Sequence, residues 1–138
     1  FSYKFNFEYI KNFTYKKKIN VKNLLMNQKF VSGIGNIYVN EILYYCKLKP
    51  TRIVSQLSKR NILNIILQVR KVLNKAIIFG GSSIRNFKKT DGVPGNFQQN
   101  FKVYGKNNIK CSRYGCDGYI QKILVSNRSA FYCPKCQI

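Results

Sequence analysis

The sequence contains no histidine and no tryptophan, and only four of its 138 residues are acidic. These four, Glu8, Glu41, Asp91 and Asp117, lie far apart along the chain. Without histidine, Ser–His–Asp triads and histidine-ligated metal sites are excluded, and so few carboxyl groups nearly exclude a two-carboxylate hydrolase. No apolar run approaches the about 20 residues of a membrane span, and no signal peptide is visible.

The scarcity of acidic residues leaves a strongly basic chain. Its 25 lysines and arginines give a formal net charge of +21 at pH 7, which favours a polyanionic partner, most often nucleic acid. The abundance of Lys, Asn, Ile, Phe and Tyr also fits an AT-biased genome, but such a bias does not remove acidic residues. A membrane headgroup layer is a second polyanionic surface that this charge would fit.

The chain is long enough for one medium domain or two small ones, and its 45% hydrophobic content can bury a core. It begins with Phe1 rather than methionine, so we expect a piece of a longer protein or a processed product. Aromatic residues near the start are spaced to line a short helix before Lys16-Lys17-Lys18. We interpret that lysine run as a linker, with a phosphate contact as the alternative.

Residues 24–46, LLMNQKFVSGIGNIYVNEILYYC, form an apolar stretch that breaks at Gly33-Ile34-Gly35 and then resumes. The pattern predicts a helix, a tight turn and a second helix. Glycines at 33 and 35 permit backbone angles or close approaches that a Cβ would forbid. Asn36 then lies where the second helix would start, as its N-cap or as a first-turn residue. The free N–H groups there would suit a phosphate, and Lys29 is placed to add a contact. A plain helical hairpin with a glycine turn is the alternative.

The longest predicted helix runs from Lys59 to Phe79, after a cap by Ser55 or Ser58 and before a stop at Gly80-Gly81. Lys49-Pro50 is expected to end the preceding helix, because the residue before a proline is biased away from helical angles.

Residues 80–100 lack periodicity and are rich in Gly, Ser, Asn and Lys. Such a segment is either a flexible connector or functional. Residues 101–105, FKVYG, are predicted as a short strand.

Four of the five cysteines form two close pairs. Four residues separate Cys111 from Cys116, two separate Cys133 from Cys136, and sixteen lie between the pairs. This spacing is typical of tetrahedral structural zinc, with disulfides or free thiols as the alternatives. With four thiolates around the metal no position is open, so the ion would fold the module and do no chemistry. The fifth, Cys46, lies on an apolar helix face and is interpreted as core.

The stretch between the cysteine pairs predicts a β-hairpin. Its strands would be Tyr119 to Val125 and Ser129 to Cys133, with the turn near Ser126-Asn127. Arg128 lies beside that turn, where a guanidinium can bind phosphate through two hydrogen bonds. A solvated surface arginine is the alternative at this position.

Three stretches together resemble the formamidopyrimidine-DNA glycosylase and endonuclease VIII family. GIGNIYVNEILYYCKLKP, with LLMNQKFV before it, is similar to the family's helix-two-turns-helix (H2TH) segment. GGSSIRNFKKTDGVPGNFQQNFKVYGK resembles its lesion-recognition loop and the following strand, and NRSAFYCPKCQ resembles the second half of its zinc finger. The similarity covers roughly residues 16 to 137.

This resemblance implies a mainly α fold with a small β zinc-ribbon, in which an H2TH domain is followed by a four-cysteine zinc-finger β-hairpin. The implied division is a linker from a missing N-terminal catalytic domain over residues 1–18, the H2TH domain over 19–100 and the zinc finger over 101–138. Within the H2TH domain, residues 80–97 correspond to the lesion-recognition loop.

The family's DNA contacts can be carried over position by position. The DNA-binding positions are Lys29, Gly33, Gly35, Asn36, Tyr104 and Arg128. The loop from Ser82 to Phe97 would close over a flipped base, as base-flipping enzymes need. Its matching positions are Ser82, Ser83, Arg85, Asp91, Gly92, Gly95 and Phe97. The loop is more similar to the formamidopyrimidine branch, which implies oxidised purines as substrates.

Two departures from the family qualify these expectations. The family usually has two residues between its first two cysteines where this chain has four, a spacing that zinc still accepts. The family's chemistry uses an N-terminal proline amine, which attacks C1′ to form a Schiff base, and an adjacent glutamate. Phe1-Ser2 cannot replace them, so we expect this chain alone to bind DNA without cutting it.

The sequence therefore predicts the damaged-DNA-binding half of a base-excision-repair DNA glycosylase and AP lyase. Its expected partner is double-stranded DNA with an oxidised base or abasic site, bound by a monomer carrying one structural Zn²⁺. A bacterial cytoplasmic location is expected, with an organellar one as the alternative. Two other hypotheses are a non-catalytic RNA- or DNA-binding zinc module and an inactive product of a degraded gene.

Overall fold

The computed structural model describes residues 6–27, 29–30, 34–78 and 101–138. These residues form four α-helices, one short 3₁₀ turn over Val54–Gln56 and one two-stranded sheet. In chain order the elements are α1 (Phe7–Thr14), α2 (Val21–Met26), α3 (Asn36–Cys46), α4 (Lys59–Ile78), β1 (Gln121–Val125) and β2 (Arg128–Tyr132). The predicted fold class is therefore confirmed. Among the described helices, none combines the length and apolar character needed to cross a bilayer.

Helix α3 lies at the centre of the molecule, where it packs against α2, α4 and β2. Val39, Ile42 and Leu43 are almost completely buried, and nearly every other residue of the helix is buried as well. A helix that is buried on nearly all sides requires neighbours on nearly all sides. Cys46, at the end of α3, is buried in this core as expected, and burial raises the pKa of its thiol to about 12.

Helix α1 falls within the segment interpreted as a linker and matches the short helix predicted before the lysine run. Asn6 caps it, because its Oδ1 accepts a 3.0 Å hydrogen bond from the backbone N–H of Tyr9. Ile10 is fully buried, and the Tyr9 hydroxyl donates to the carbonyl of Phe30 at 2.7 Å. Residues 7–14 therefore pack onto the helical core.

The end of α3 differs from the prediction. The helix ends at Cys46, before Lys49-Pro50, because Lys47 adopts a left-handed conformation with φ 58°. Its N–H donates to the carbonyl of Tyr44 at 3.1 Å, and the next N–H, of Leu48, donates to Leu43 at 3.1 Å. These two bonds form a left-handed cap, so the proline is not what ends the helix.

Helix α4 begins as predicted, and of the two candidate serines Ser58 is its cap. The Ser58 Oγ accepts from the N–H of Asn61 at 3.0 Å, and Asn61 Oδ1 accepts from the N–H of Ser58 at 3.0 Å. This reciprocal pair satisfies two backbone donors at the start of the helix. The predicted stop at Gly80-Gly81 lies outside the described residues.

The predicted strand over residues 101–105 is not formed. The backbone N–H groups of Lys102, Val103 and Tyr104 donate to the carboxylate of Glu41 at 2.7, 3.0 and 2.9 Å. Successive N–H groups of a strand point in alternate directions, so three that converge on one carboxylate cannot belong to a strand. Burial raises the pKa of Glu41, and the three N–H donors oppose that shift. The carboxylate thus fixes this segment against α3.

The β-hairpin is confirmed. Strands β1 and β2 are antiparallel, and Val125 pairs with Arg128 across a two-residue turn. Ser126 and Asn127 have φ values of 52° and 66°, which is the conformation of the tight turns that suit the twist of a hairpin. The first strand is shorter than predicted, because Tyr119 forms only an isolated bridge with Lys110.

Residues 108–138, which we call the finger, are attached near both ends of α3. Strand β2 packs near the start of the helix, where Asn40 Oδ1 accepts from the N–H of Phe131 at 2.8 Å. Beyond the other end, the buried Gln137 donates to the carbonyl of Leu48 at 2.9 Å, and the N–H of Ile138 donates to Lys47 at 2.9 Å. The finger therefore lies along α3 and is fixed at two separate places.

Candidate metal centre and nucleic-acid interface

The four paired cysteines come together in the finger. Their sulfur atoms all lie within 4.8 Å of one another. The Cys111–Cys136 and Cys116–Cys133 sulfur distances are 3.9 and 3.7 Å. A regular tetrahedron with zinc–sulfur bonds of about 2.3 Å has sulfur–sulfur edges of about 3.8 Å. The donor set therefore fits one zinc ion, and four sulfur ligands make the site structural.

The longer first cysteine pair is accommodated by its backbone. The N–H of Cys116 donates to the carbonyl of Arg113 at 3.0 Å, and Gly115 has a left-handed φ of 79°. Gly118 lies so close to the site that a Cβ there would be 2.7 Å from the sulfur of Cys133. The four-residue spacing thus closes into a turn that still presents both sulfurs to the metal position.

The start of α3 is open to solvent at the position of its cap. Gly35 caps the helix in an extended conformation with φ −98°, and the helix has no side-chain cap. A Cβ at Gly35 would meet no atom of the described residues within 4 Å. Neither a positive φ nor a crowded contact within the described chain requires a glycine here, and the close approach of a phosphate stays a prediction. Gly33 lies outside the described residues.

Two asparagines on α3 hold the finger hairpin. Asn36, the first residue of the helix, donates from Nδ2 to the carbonyl of Ser129 at 3.1 Å. Its Oδ1 is buried and finds no hydrogen-bond partner among the described residues. One turn later, Asn40 Nδ2 donates to the carbonyl of Asn36 at 2.6 Å. The side chain of Asn36 is thus fixed between the helix start and β2.

Lys22 completes this arrangement from α2 and was missed by the sequence analysis. Its side chain is only 1% exposed, and Nζ donates to the carbonyl of Ser129 at 2.9 Å. Burial lowers the pKa of Lys22 to about 8, and the positive charge of Arg128 adds to that shift. The sequence did offer one signal that Lys22 could be buried. It lies next to Val21 and close to Leu24 and Leu25, which are all buried in α2.

Three of the predicted DNA-binding residues adjoin β2. Arg128 begins the strand and is exposed beside the turn, as predicted. Asn36 is bonded to the following residue, Ser129. The half-buried ring of Tyr104 packs edge-on against Phe131 with 5.0 Å between ring centroids. The structure therefore gathers these residues around one strand.

Lys29 lies apart from that group. Lys29 is exposed and lies near α1, since its carbonyl is 3.4 Å from the Tyr9 hydroxyl. The predicted loop, residues 80–97, lies outside the described residues. Its candidate positions are Ser82, Ser83, Arg85, Asp91, Gly92, Gly95 and Phe97.

Comparison with known families agrees with this arrangement. Residues 1–88 match the family described as the formamidopyrimidine-DNA glycosylase H2TH domain. Residues 108–138 match the family described as the zinc finger found in FPG and IleRS. The second match covers the finger and all four clustered cysteines.

Individual relatives share the same stretch. The formamidopyrimidine-DNA glycosylase of Roseobacter denitrificans is 45% identical over 117 residues, which are 85% of this chain and 41% of that protein. The enzyme of the same name from Haemophilus influenzae is 37% identical over 133 residues, covering 96% of this chain and 48% of that protein. The chain thus spans about half the length, or less, of these relatives.

Solved structures show the same architecture. Lactococcus lactis Fpg in complex with DNA containing an abasic site has a TM-score of 0.85 and 37% identity, covering 99% of this chain and 49% of that one. MutM in complex with DNA containing carbocyclic 8-oxo-G has a TM-score of 0.84 and 36% identity, covering 99% and 48%. The finger match and the cysteine cluster establish one structural zinc ion. The H2TH match covers well over half of the residues of this chain, and the chain therefore belongs to the formamidopyrimidine-DNA glycosylase family.

Proposed function

We propose that this chain is the damaged-DNA-binding half of a base-excision-repair DNA glycosylase and AP lyase. The observation that carries the proposal is the grouping of Asn36, Tyr104 and Arg128 around β2. Relatives of the same architecture have been solved with abasic-site and 8-oxo-G-type DNA. A net charge of +21 supplies the general attraction to a polyanion.

The start of α3 supports a phosphate contact at Asn36. The first N–H groups of a helix lack acceptors within the helix, and the macrodipole places positive charge there. Here the cap is Gly35, which offers no side chain, and the space beside it is empty of described atoms. A phosphate oxygen could approach the backbone closely at this point, and Lys29 and Gly33 are its proposed neighbours.

Arg128 supports a second phosphate contact. Its exposed side chain begins β2, and the carbonyl of the next residue is held by both Lys22 and Asn36. An arginine on a fixed strand loses little freedom when it pairs with phosphate, and its planar donors can bind two oxygens. Tyr104, held by Glu41 and packed on Phe131, is the proposed contact near the lesion.

We assign the recognition of the damaged base to residues 80–97. In this proposal the loop closes over a base flipped out of the duplex, and the preferred lesions are oxidised purines of the formamidopyrimidine and 8-oxoguanine type. The proposed division places a linker from an N-terminal catalytic domain at residues 1–18, the H2TH domain at 19–100 and the zinc finger at 101–138. In this division, helix α1 is the part of the linker that packs onto the helical core.

The reaction itself is assigned to a catalytic half that carries the family's N-terminal proline amine and glutamate. No position in these 138 residues matches that pair. We therefore propose that this chain alone binds damaged duplex as a monomer and does not cleave it. The proposed location is the cytoplasm of a bacterium or an organelle of bacterial type.

The proposal is tested by duplex binding as a function of salt. The zinc-loaded chain should bind a duplex carrying an abasic site. The logarithm of its binding constant should fall linearly with the logarithm of the salt concentration. Arg128→Ala should weaken binding and reduce the salt slope by about one, whereas Arg60→Ala, an exposed control on α4, should have little effect. Equal affinity of both variants and the wild type would overturn the assignment of Arg128. A preference for structured RNA would instead favour a non-catalytic RNA-binding module.

Borohydride trapping on the same duplex tests the assignment of the chemistry. No covalent adduct, alongside intact binding, is the expected result. A specific adduct above that of an unrelated lysine-rich protein would show that an amine in this chain acts as the nucleophile.

A further inference from the structure

Arg113 and Tyr44 contact two of the four zinc-site sulfurs from outside the cluster. Arg113 Nε donates to the sulfur of Cys136 at 3.3 Å. The Tyr44 hydroxyl lies 3.6 Å from the sulfur of Cys111. Tyr44 belongs to α3 and is 3% exposed, so this contact joins the helical core to the metal site.

The two residues also hold each other. The Arg113 guanidinium lies 4.2 Å from the centre of the Tyr44 ring, and its terminal nitrogen donates to the Tyr44 carbonyl. That carbonyl lies in the last turn of α3, which contains no basic residue of its own. A cation at the end of a helix is favourable, because the macrodipole is negative there. Arg113 therefore adds, from the finger, a positive charge to that of the capping Lys47 at the end of α3.

The chemistry of a zinc–thiolate site gives these contacts a consequence. Four thiolates around Zn²⁺ carry a net charge of −2, and each sulfur keeps lone pairs that accept hydrogen bonds. An arginine stays charged at all ordinary pH values, and a tyrosine hydroxyl beside a thiolate must be the donor. Each contact therefore places a donor against a sulfur that carries negative charge in the zinc-bound site, which favours the bound form.

We propose that Arg113 and Tyr44 are positioning residues that retain zinc and fasten the metal site to α3. Arg113 is one of the four residues between Cys111 and Cys116, so the lengthened first pair supplies this contact. Groups that hydrogen-bond to metal ligands typically change metal affinity by about 10- to 100-fold when they are removed. Loss of zinc is therefore coupled to loss of the contact between the finger and the last turn of α3.

The first experiment measures zinc loss from the full chain to an excess of a colorimetric chelator. Arg113→Met keeps the length of the side chain and removes its donors, and it should release zinc about tenfold faster or more. Tyr44→Phe keeps the ring and removes the hydroxyl, and it should release zinc faster by a smaller factor. The controls are Arg60→Met, exposed on α4, and Tyr119→Phe, 59% exposed on the finger, and both should match the wild type.

A second measurement separates a hydrogen bond to sulfur from a purely structural role. In the cobalt-substituted chain, the sulfur-to-cobalt charge-transfer bands report the electron density on the thiolates. Arg113→Met and Tyr44→Phe should each shift these bands, while the circular dichroism spectrum of each variant stays that of the wild type. Arg113→Lys keeps the charge but not the forked donors, so it should restore only part of the retention.

Wild-type release rates and band positions in both variants would overturn the proposal. If Arg113→Met takes up no metal, Tyr44→Phe decides, because it removes a single oxygen atom. Unchanged bands with faster release in Tyr44→Phe would show that this residue acts through packing alone, which would also contradict the proposed hydrogen bond to sulfur.

Discussion

The ammonium group of Lys22 donates a 2.9 Å hydrogen bond to the carbonyl of Ser129, although 107 positions separate the two residues. This contact ties α2 to β2 directly beside Arg128. A buried lysine is costly unless its charge is compensated, and the charge of Arg128, which acts on Lys22, is of the same sign. The burial of the Lys22 charge beside Arg128 therefore lowers the stability of the fold.

Stability should depend on the protonation of Lys22. Because its pKa falls from 10.5 in the unfolded chain to about 8 in the fold, the folded state binds fewer protons between these values. The free energy of unfolding should therefore rise as pH increases through this window, by up to roughly 3 kcal/mol from this group. Denaturant melts of the zinc-loaded chain at pH 7.0 to 10.5, taken against Lys22→Met, isolate the contribution. Parallel pH profiles in the two proteins would contradict it.

Glu41→Gln should destabilise the chain strongly. The carboxylate accepts three backbone N–H groups, whereas a glutamine offers one oxygen and turns an NH₂ group towards the remaining donors. A buried donor without an acceptor costs about 1–3 kcal/mol, so urea melts should show a loss of this size or more. Glu8→Gln, exposed in the first turn of α1, is the matched control and should cost less than about 0.5 kcal/mol. Equal losses would show that Glu41 has no special role.

Gly35→Ala separates stability from binding. The backbone at this residue is extended, and a Cβ would meet no described atom within 4 Å. The free energy of unfolding obtained from thermal melts should therefore fall by no more than about 1 kcal/mol, the usual cost of a poorer helix cap. Affinity for an abasic-site duplex should nevertheless fall, because the methyl group would occupy the space proposed for a phosphate. Unchanged affinity would remove the helix start from the proposed interface.

Zinc removal should unfold the finger and leave the helices. The buried residues form two clusters, one within the helical core and one that contains Cys111 and Cys133. Chelation should abolish the hairpin signals in an NMR spectrum and most duplex affinity, while far-ultraviolet circular dichroism keeps most of its helical signal. Added zinc should restore both, and added magnesium should not. Loss of all helical signal on chelation would show that the core needs the finger to fold.

Local signals in the sequence predicted the elements well. The period of α4, the Ser58 cap, the cysteine spacing and the hairpin turn at Ser126-Asn127 each depend on a few neighbouring residues, and each is confirmed. The end of α3 was placed too late because a left-handed lysine gives a weaker signal than a proline. Residue types and spacing therefore sufficed for these local features but not for the left-handed end of α3, although its hydrogen bonds are also short in sequence.

The contacts that assemble the site were not predictable in this way. Glu41 reaches the segment 61 to 63 residues later, and Arg113 reaches back 69 residues to Tyr44. Nothing close to either residue in sequence distinguishes it from an ordinary helix glutamate or surface arginine. Such pairings depend on how α3 and the finger pack, which periodicity does not encode.

The attachment of the finger near both ends of α3 has a mechanical consequence. A body joined to a helix at Asn40 and again beyond its end at Leu48 cannot pivot about either joint. The distance between the start of α3 and Arg128 is therefore set when the chain folds, before any ligand arrives. A ligand that contacts both the start of α3 and Arg128 must adjust its own backbone to the distance between them. The protein loses little conformational entropy when it binds such a ligand, because that distance is already fixed.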